Sequence, residues 1–175
     1  FMFLLLKYIA KLLKALASEA SPVQLAGGFV LGMIIGLTPV FSLHNAFILI
    51  LLIILKVNIG MALLAFILFS GVAFLADPAF HNFGIWLLEN DSLQAMWTSM
   101  YNTEWIAATR FYNTVVIGSF VSALILILPV FPGLIFIVSQ YRTHINERIQ
   151  KLKIVKALKG TKFYSIYKTV QRVRG

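Results

Sequence analysis

The pattern of hydrophobic and polar positions divides the chain into four apolar stretches separated by short breaks. The first two stretches lie between residues 21 and 58, on either side of a break at Thr38-Pro39. The third covers residues 57–76 and the fourth residues 111–141, and neither contains a charged side chain. A helix needs about 20 apolar residues to cross a hydrocarbon core of roughly 30 Å. The third and fourth stretches are therefore predicted to be complete transmembrane helices.

The first two stretches are predicted to form a helical hairpin. Ser21 is suited to cap the first helix, Pro22 to occupy its first turn, and Gln24 to complete a capping box. This helix, residues 22–37, would be about 24 Å long, and the second, residues 43–55, is shorter. The pair predicts either two short crossings of a thinned membrane or a re-entrant hairpin. Either arrangement begins and ends on the same side of the membrane.

Amphipathic patterns mark both ends of the chain. Residues 1–20 place Lys7, Lys11 and Lys14 on one helical face opposite leucines, which predicts an interfacial helix on the membrane surface. A signal peptide is the competing interpretation, but the lysines fall inside the apolar run and no small-residue cleavage site follows. Residues 142–175 predict a basic amphipathic tail that lies along the same surface.

Composition narrows the class of protein. Hydrophobic residues make up 60% of the chain and charged residues 12%, whereas soluble domains have about a half and about a quarter. The chain is therefore predicted to be an all-α integral membrane protein with one membrane domain, residues 21–141. It contains no cysteine, which excludes disulfides, thiolate nucleophiles and cysteine-bound metals.

The distribution of charge predicts the orientation. From Arg142 onward ten Lys or Arg accompany one acid, whereas residues 77–110 hold four acids and only Arg110 as a base. Because Lys and Arg accumulate in cytoplasmic segments, both termini are predicted to be cytoplasmic. Residues 77–110 then face the other side, which in a bacterium is the periplasm. The net charge of +9 is thus assigned to the membrane surface, and no nucleic acid is predicted.

The outer-face segment, residues 77–110, mixes acids with Trp and Tyr. It predicts either short helices at headgroup level, where these rings are favoured, or a small periplasmic cap packed on the helix ends. Asp77 ends one predicted crossing and Arg110 begins the next, so Arg110 is expected to pair with Asp77 or Glu104. The residues expected to contact a partner or lipid are Asp77, Pro78, His81, Trp97, Tyr101, Asn102, Arg110 and Asn113.

Glycines recur at every fourth position in the first helix, at Gly28, Gly32 and Gly36. This small-residue spacing lets membrane helices approach closely, and it predicts a packing face. The partner of that face is the helix after the break, the helix of residues 57–76, or a second copy of the chain.

The break at Thr38-Pro39 is followed by the polar residues His44 and Asn45. Broken membrane helices mark binding sites in transporters, so one hypothesis is a small secondary transporter or channel with its site at the break. A simple outer loop in a hairpin is the favoured interpretation.

Signals for catalysis are weak. His44, His81 and His144 are far apart in the sequence, and no HExxH, GxSxG or Walker motif occurs. No enzyme activity, metal or cofactor is predicted.

Three segments carry a family resemblance: AGGFVLGMIIGLTP with a following KVN, LADPAFHNFG, and WTSMYNTEWIAATRFYNTVVIGS. Over residues 20–142 the chain resembles a family of bacterial inner-membrane proteins of unknown function, which pairs a GxxxGxxP helix with an Asn-Pro or Asp-Pro turn. Asp77-Pro78 stands at that turn. The third segment is similar to a subgroup usually encoded beside an AsmA-like envelope protein. The resemblance implies a subunit that anchors or feeds a periplasm-spanning AsmA-like protein of phospholipid transport, with membrane phospholipids and that protein as partners.

Overall fold

The computed structural model describes residues 20–145, and every regular element in that range is helical. The helices are α1 Pro22–Leu37, α2 Leu43–Ile54, α3 Ile59–Leu88, α4 Gln94–Tyr101, α5 Glu104–Ala107 and α6 Thr114–Gln140, with a 3-10 turn at Asp91–Leu93 and a π turn at Tyr141–Ile145. The prediction of an all-α fold is confirmed.

The chain divides into two units, Phe1–Phe136 and Ile137–Gly175. The described part of the second unit is the end of α6 and the π turn, and the first unit holds the other elements. The interfacial helix predicted for residues 1–20 and the tail predicted for residues 142–175 lie outside the described residues, apart from residue 20 and residues 142–145.

Helix α1 begins as its sequence predicts. The hydroxyl of Ser21 accepts from the Gln24 amide at 3.1 Å, and the Gln24 side chain accepts from the Ser21 amide at 2.8 Å. This reciprocal capping box satisfies two backbone donors that the first turn leaves free. The helix ends at Leu37, and Thr38 is extended (φ −100, ψ 158), because the residue before a proline is disfavoured in the helical region.

Close contact between backbones joins α1 to α3. A Cβ atom added to Gly28, Gly32 or Gly36 would come within 3.0 Å of the backbone carbonyl oxygens of residues 58, 62 and 66 respectively. Both series advance by four, so α1 and α3 run parallel, and the start of α3 lies level with Gly28 in the middle of α1. Of the three partners open for the glycine face, the structure selects the helix of residues 57–76.

Hydrogen bonds join the first turn of α1 to the residues just before α3. The Asn58 amide donates to the Gln24 carbonyl at 3.0 Å, and the Gln24 side chain donates to the Lys56 carbonyl at 3.3 Å. The Asn58 side chain caps α3 by accepting from the Met61 amide at 2.9 Å. Helix α2 follows α1 and precedes α3 in the sequence. It must therefore run in the opposite direction to both, as the predicted hairpin requires.

Helix α3 is longer than the sequence indicates. The predicted crossing ends at residue 76 and is followed by a turn at Asp77-Pro78, but α3 continues through both residues to Leu88. That boundary was wrong because an interior proline removes one backbone donor, a loss that apolar helices tolerate when neighbouring groups support them. At 1.5 Å per residue, α3 is about 45 Å long.

A second close contact supports the upper part of α3. A Cβ on Gly84 would clash with the Thr114 carbonyl, and a Cβ on Gly118 would clash with the Phe80 carbonyl. Between these two contacts the residue number in α3 rises from 80 to 84 while the residue number in α6 falls from 118 to 114. The two helices are therefore antiparallel. The prolines at 129 and 132 also lie inside α6 and do not end it.

Residues 89–113 form a cap on the ends of α3 and α6. The Trp97 indole donates to the Leu87 carbonyl at 2.9 Å, and the Gln94 side chain donates to the Leu88 carbonyl at 2.6 Å, so two terminal carbonyls of α3 gain partners. Beneath them lies an apolar cluster of Leu87, Phe111 and Ile117, with Phe83, Leu88, Leu93, Trp97, Met100, Ile106 and Val121 packed against it. The segment thus packs on the helix ends, as the cap interpretation describes, and its level relative to a membrane stays a prediction.

Among the described residues, two helices, α3 and α6, are long and apolar enough to cross a membrane. In the most apolar 18-residue window of α3, 22% of the residues are buried. In the corresponding window of the span that contains α6, 11% are buried. A helix that is apolar all round is normally buried in a protein core or in a bilayer. Since the protein covers so little of these two helices, their surfaces are suited to lipid. The prediction of two long membrane helices is confirmed in their number, length and composition.

The α1–α3 contact can be tested with two Gly→Ala variants. Gly32→Ala places a methyl group against the Ala62 backbone and is expected to lower the free energy of unfolding by about 1–3 kcal/mol. Gly71→Ala, in α3, meets no atom within 4 Å and is expected to raise it by up to about 1 kcal/mol, because alanine is the better helix former. Chemical unfolding in detergent, followed by circular dichroism, measures both. Equal effects would contradict the contact.

Candidate functional site

The break between α1 and α2 is closed by its own polar groups. The Thr38 hydroxyl lies 2.8 Å from the Ile34 carbonyl and 3.0 Å from the Asn45 side-chain oxygen, and its one proton serves these two acceptors. The Asn45 amide donates to the Pro39 carbonyl at 3.0 Å. Thr38 and Asn45 are only 3% and 2% exposed. Their side chains therefore hold the hairpin together and are not free to bind a solute.

His44 links the tip of the hairpin to α6. Its Nε2 atom lies 3.0 Å from the Ser42 hydroxyl, and its ring lies 4.9 Å from the ring of Phe120. The imidazole is partly buried between the hairpin and the helix. This contact positions the tip beside the beginning of α6.

A cavity of about 630 Å³ lies between the tip of the hairpin and the loop that leads into α6. We call it the tip cavity. It is lined by Pro39, Phe41, Ser42, Leu43, Ala108, Thr109, Arg110, Asn113, Val115 and Val116. Two groups that the sequence analysis treats separately, the helix break and the outer-face residues Arg110 and Asn113, thus meet in one place.

Arg110 has an unusual backbone in this cavity. Its φ is 59, in the left-handed region that side chains other than glycine avoid at a cost of about 1–2 kcal/mol. The residue is exposed, and no side chain in residues 20–143 is hydrogen-bonded or ion-paired to its guanidinium group. The pairing expected with Asp77 or Glu104 is therefore not met in the described part of the chain.

Asn113 sits beside Arg110 and caps α6. Its side-chain oxygen accepts from the amides of Val115 at 3.0 Å and Val116 at 3.2 Å. This leaves its amide nitrogen as a donor at the wall of the tip cavity. Strained residues persist where the surrounding structure holds them, and they cluster at binding sites.

An apolar groove continues from the tip cavity along α2. Its volume is about 450 Å³, and it is lined by Leu43, His44, Ala46, Phe47, Ile50 and Thr109. Leu43 and Thr109 belong to both walls, so the polar cavity and the apolar groove adjoin. A smaller space of about 220 Å³ lies behind His44, between the cap and α6.

The other predicted site residues lie away from the tip cavity. His81 contacts Thr114 at 2.6 Å across the α3–α6 pair, and Trp97 is held in the cap core. Tyr101 packs edge-on against Tyr112, with ring centres 5.6 Å apart. The remaining three, Asp77, Pro78 and Asn102, are exposed on α3 and at the end of α4.

Sequence reasoning missed two glycines that shape the site. Gly84 and Gly118 allow α3 and α6 to touch, and this contact sets the position of the loop with Arg110. Each of these glycines is a small residue in an apolar segment. Without a regular spacing of glycines, such a residue is only a weak signal of close helix packing. No group of three metal-binding side chains occurs among the described residues.

Comparison with known proteins identifies a family. Residues 6–146 match the family described as an uncharacterized protein conserved in bacteria (DUF2062). An uncharacterized protein of Treponema pallidum (strain Nichols) is 26% identical over 150 residues, which cover 86% of this chain and 93% of that protein. No solved structure matches the chain at a significant level.

Because the side chains of Thr38 and Asn45 are hydrogen-bonded to each other, their contributions to the free energy of unfolding should be coupled. Thr38→Val leaves the buried side-chain oxygen of Asn45 without its donor, and Asn45→Leu removes the donor to the Pro39 carbonyl. Each is expected to cost about 1–3 kcal/mol of unfolding free energy. The double variant should cost less than the sum by about 0.5–3 kcal/mol. As a control, Thr38→Val is combined with Asn90→Leu in the cap, where additive losses are expected. Additive losses for Thr38 and Asn45 would contradict the closure.

Proposed function

The chain belongs to the DUF2062 family of bacterial proteins, and on that premise we propose that it is a multi-pass inner-membrane protein whose cap docks a periplasm-spanning AsmA-like protein. In this role it anchors or feeds phospholipid transport during envelope biogenesis. The proposal assigns the protein no catalytic step.

The first support is the spacing of charges along α3. Lys56 and Asp77 enclose 20 residues without a charge, of which residues 59–76 belong to α3 and span about 27 Å. With the two residues before the helix, this length is close to the roughly 30 Å of a typical hydrocarbon core. We therefore place one membrane boundary at Lys56 and the other at Asp77. The start of α1 shares the Lys56 boundary, because Gln24 is hydrogen-bonded to the Lys56 carbonyl.

The observation that carries the proposal is the continuation of α3 beyond Asp77. Trp86 lies nine residues further along, about 13 Å past the proposed boundary. The headgroup layer is only about 5–8 Å thick on each side of the core. An aromatic ring at this height is too far out for an interfacial anchor, whereas aromatic side chains are enriched at the centres of protein interfaces.

The surface of the cap, together with the adjoining end of α3, fits a docking role. Trp86 is 61% exposed and Trp105 is 81% exposed, and both lie among the exposed acids Glu89, Asp91 and Glu104. Exposed tryptophans provide large apolar contacts, and the acids favour a partner with complementary basic residues. The identity of that partner as an AsmA-like protein comes from the resemblance of residues 20–142 to the subgroup described above.

The alternative function, a transporter or channel with its site at Thr38-Pro39, receives no support from the geometry. The polar groups of the break bond one another, and Thr38 and Asn45 are buried. A second copy of the chain is likewise not needed to cover the glycines of α1, since α3 already covers them.

Orientation can be measured with single cysteines, because the natural chain has none. Ser92→Cys, in the cap, is expected to react with a membrane-impermeant maleimide in intact cells. Leu55→Cys, at the opposite boundary, is expected to react only after the inner membrane is permeabilised. The reverse pattern would contradict the proposed sidedness.

Docking can be measured by photo-crosslinking in a bacterium that encodes the chain. A photoreactive amino acid at Trp105 is expected to capture a large envelope protein, identified by mass spectrometry. The matched control is Phe74, which is 80% exposed but lies within the proposed membrane span of α3. Capture of the same protein with equal yield from both positions would argue against the cap as the docking surface, and capture of no AsmA-like protein would overturn the assigned partner.

A further inference from the structure

We infer that the tip cavity and the adjoining groove along α2 form a binding site for one anionic phospholipid. The headgroup phosphate is held by Arg110 and Asn113, and one acyl chain follows the groove. This site rests on the membrane placement proposed above, but it does not depend on the periplasmic partner.

The location of the site follows from the register of the helices. The parallel contact places Gly36 level with Phe66 on α3, and the extended loop after Leu37 carries the tip further in the same direction. The antiparallel contact places Gly118 level with Phe80, three residues beyond Asp77. His44 contacts Phe120, so the tip reaches the level of the Asp77 boundary. Phospholipid headgroups begin at this level.

The polar end of the site has the chemistry to bind a phosphate monoanion. Arg110 presents a guanidinium group without a protein partner in the described chain, and Asn113 keeps a free amide nitrogen. Guanidinium groups bind phosphate oxygens through two parallel hydrogen bonds, which are stronger than neutral ones. No acid lines the tip cavity, so nothing there repels an anion.

The apolar end of the site favours a lipid over a free phosphate. The groove is lined by Phe47 and Ile50 on the exposed face of α2, and its only polar contributions come from His44 and Thr109. A small anion would leave this groove empty. Each of the two spaces falls in the size range of small-molecule sites, about 300–1,000 Å³. A ligand with an anionic end and a long apolar end occupies both.

Native mass spectrometry of the full chain in detergent tests the site, with phosphatidylglycerol and phosphatidylcholine as probes. The natural chain is expected to retain phosphatidylglycerol at about tenfold lower concentration than phosphatidylcholine, because both lipids carry the phosphate but Arg110 repels the choline cation of the second. Arg110→Gln should abolish this preference. Lys56→Gln removes the same charge at the opposite boundary and should leave it unchanged. Equal losses in the two variants would show nonspecific attraction and overturn the site.

A second variant separates binding from folding. Asn113→Asp keeps an oxygen that can cap α6, and aspartate caps helices as well as asparagine does. It also places a negative charge at the wall of the tip cavity, so retention of phosphatidylglycerol should fall about tenfold while the melting temperature does not fall. Unchanged retention would contradict the site.

The source of the phosphate and the role of the groove are tested separately. Glycerol phosphate, which lacks acyl chains, should not displace bound phosphatidylglycerol, and displacement at similar concentration would overturn the lipid assignment. Ile50→Trp fills the groove and should weaken retention of both lipids. If the preference for phosphatidylglycerol holds but the crosslink from the cap is absent, the partner proposal fails and the lipid site stands.

Discussion

The parallel backbone contact between α1 and α3 is the constraint on which the rest of the structure depends. Between helices in lipid there is little hydrophobic attraction, so association relies on close packing of backbones. Gly28, Gly32 and Gly36 provide that approach, and their fixed spacing sets the level of α1 against α3. Because two consecutive parallel helices need a return segment, α2 must form a hairpin with α1. The height of the hairpin tip is therefore set by the contacts of three glycines along α1.

A different pair of glycines controls the other half of α3. The lower part of this long helix packs against α1, and its upper part packs against α6 through Gly84 and Gly118. The tip of the hairpin and the loop before α6 approach each other where these two packing arrangements meet. The tip cavity arises there, with the strained Arg110 in its wall. A substitution in either glycine contact would move one wall relative to the other.

The proposed functions occupy two distinct levels. Docking is assigned to the exposed surface of the cap and of the adjoining end of α3, which carry Trp105 and Trp86 respectively. Lipid binding is assigned to the membrane boundary, where polar donors adjoin an apolar groove that faces outward. A protein arranged in this way can hold a lipid directly beneath a bound partner. Both surfaces include residues of the loop 104–113.

By itself, the sequence determined the features that depend on local chemistry. The capping box at Ser21 begins α1, Pro39 ends it, and the lengths of the uncharged stretches predict two long membrane helices. The glycine spacing predicted a packing face, and the motifs identified the family. Two features depended on tertiary contacts. Pro78 locally favours the end of a helix, yet α3 continues to Leu88, where its upper part packs against α6. The break at Thr38-Pro39 and Arg110 are some 70 residues apart, and they meet only because helix register, which no local pattern encodes, brings both to the same level.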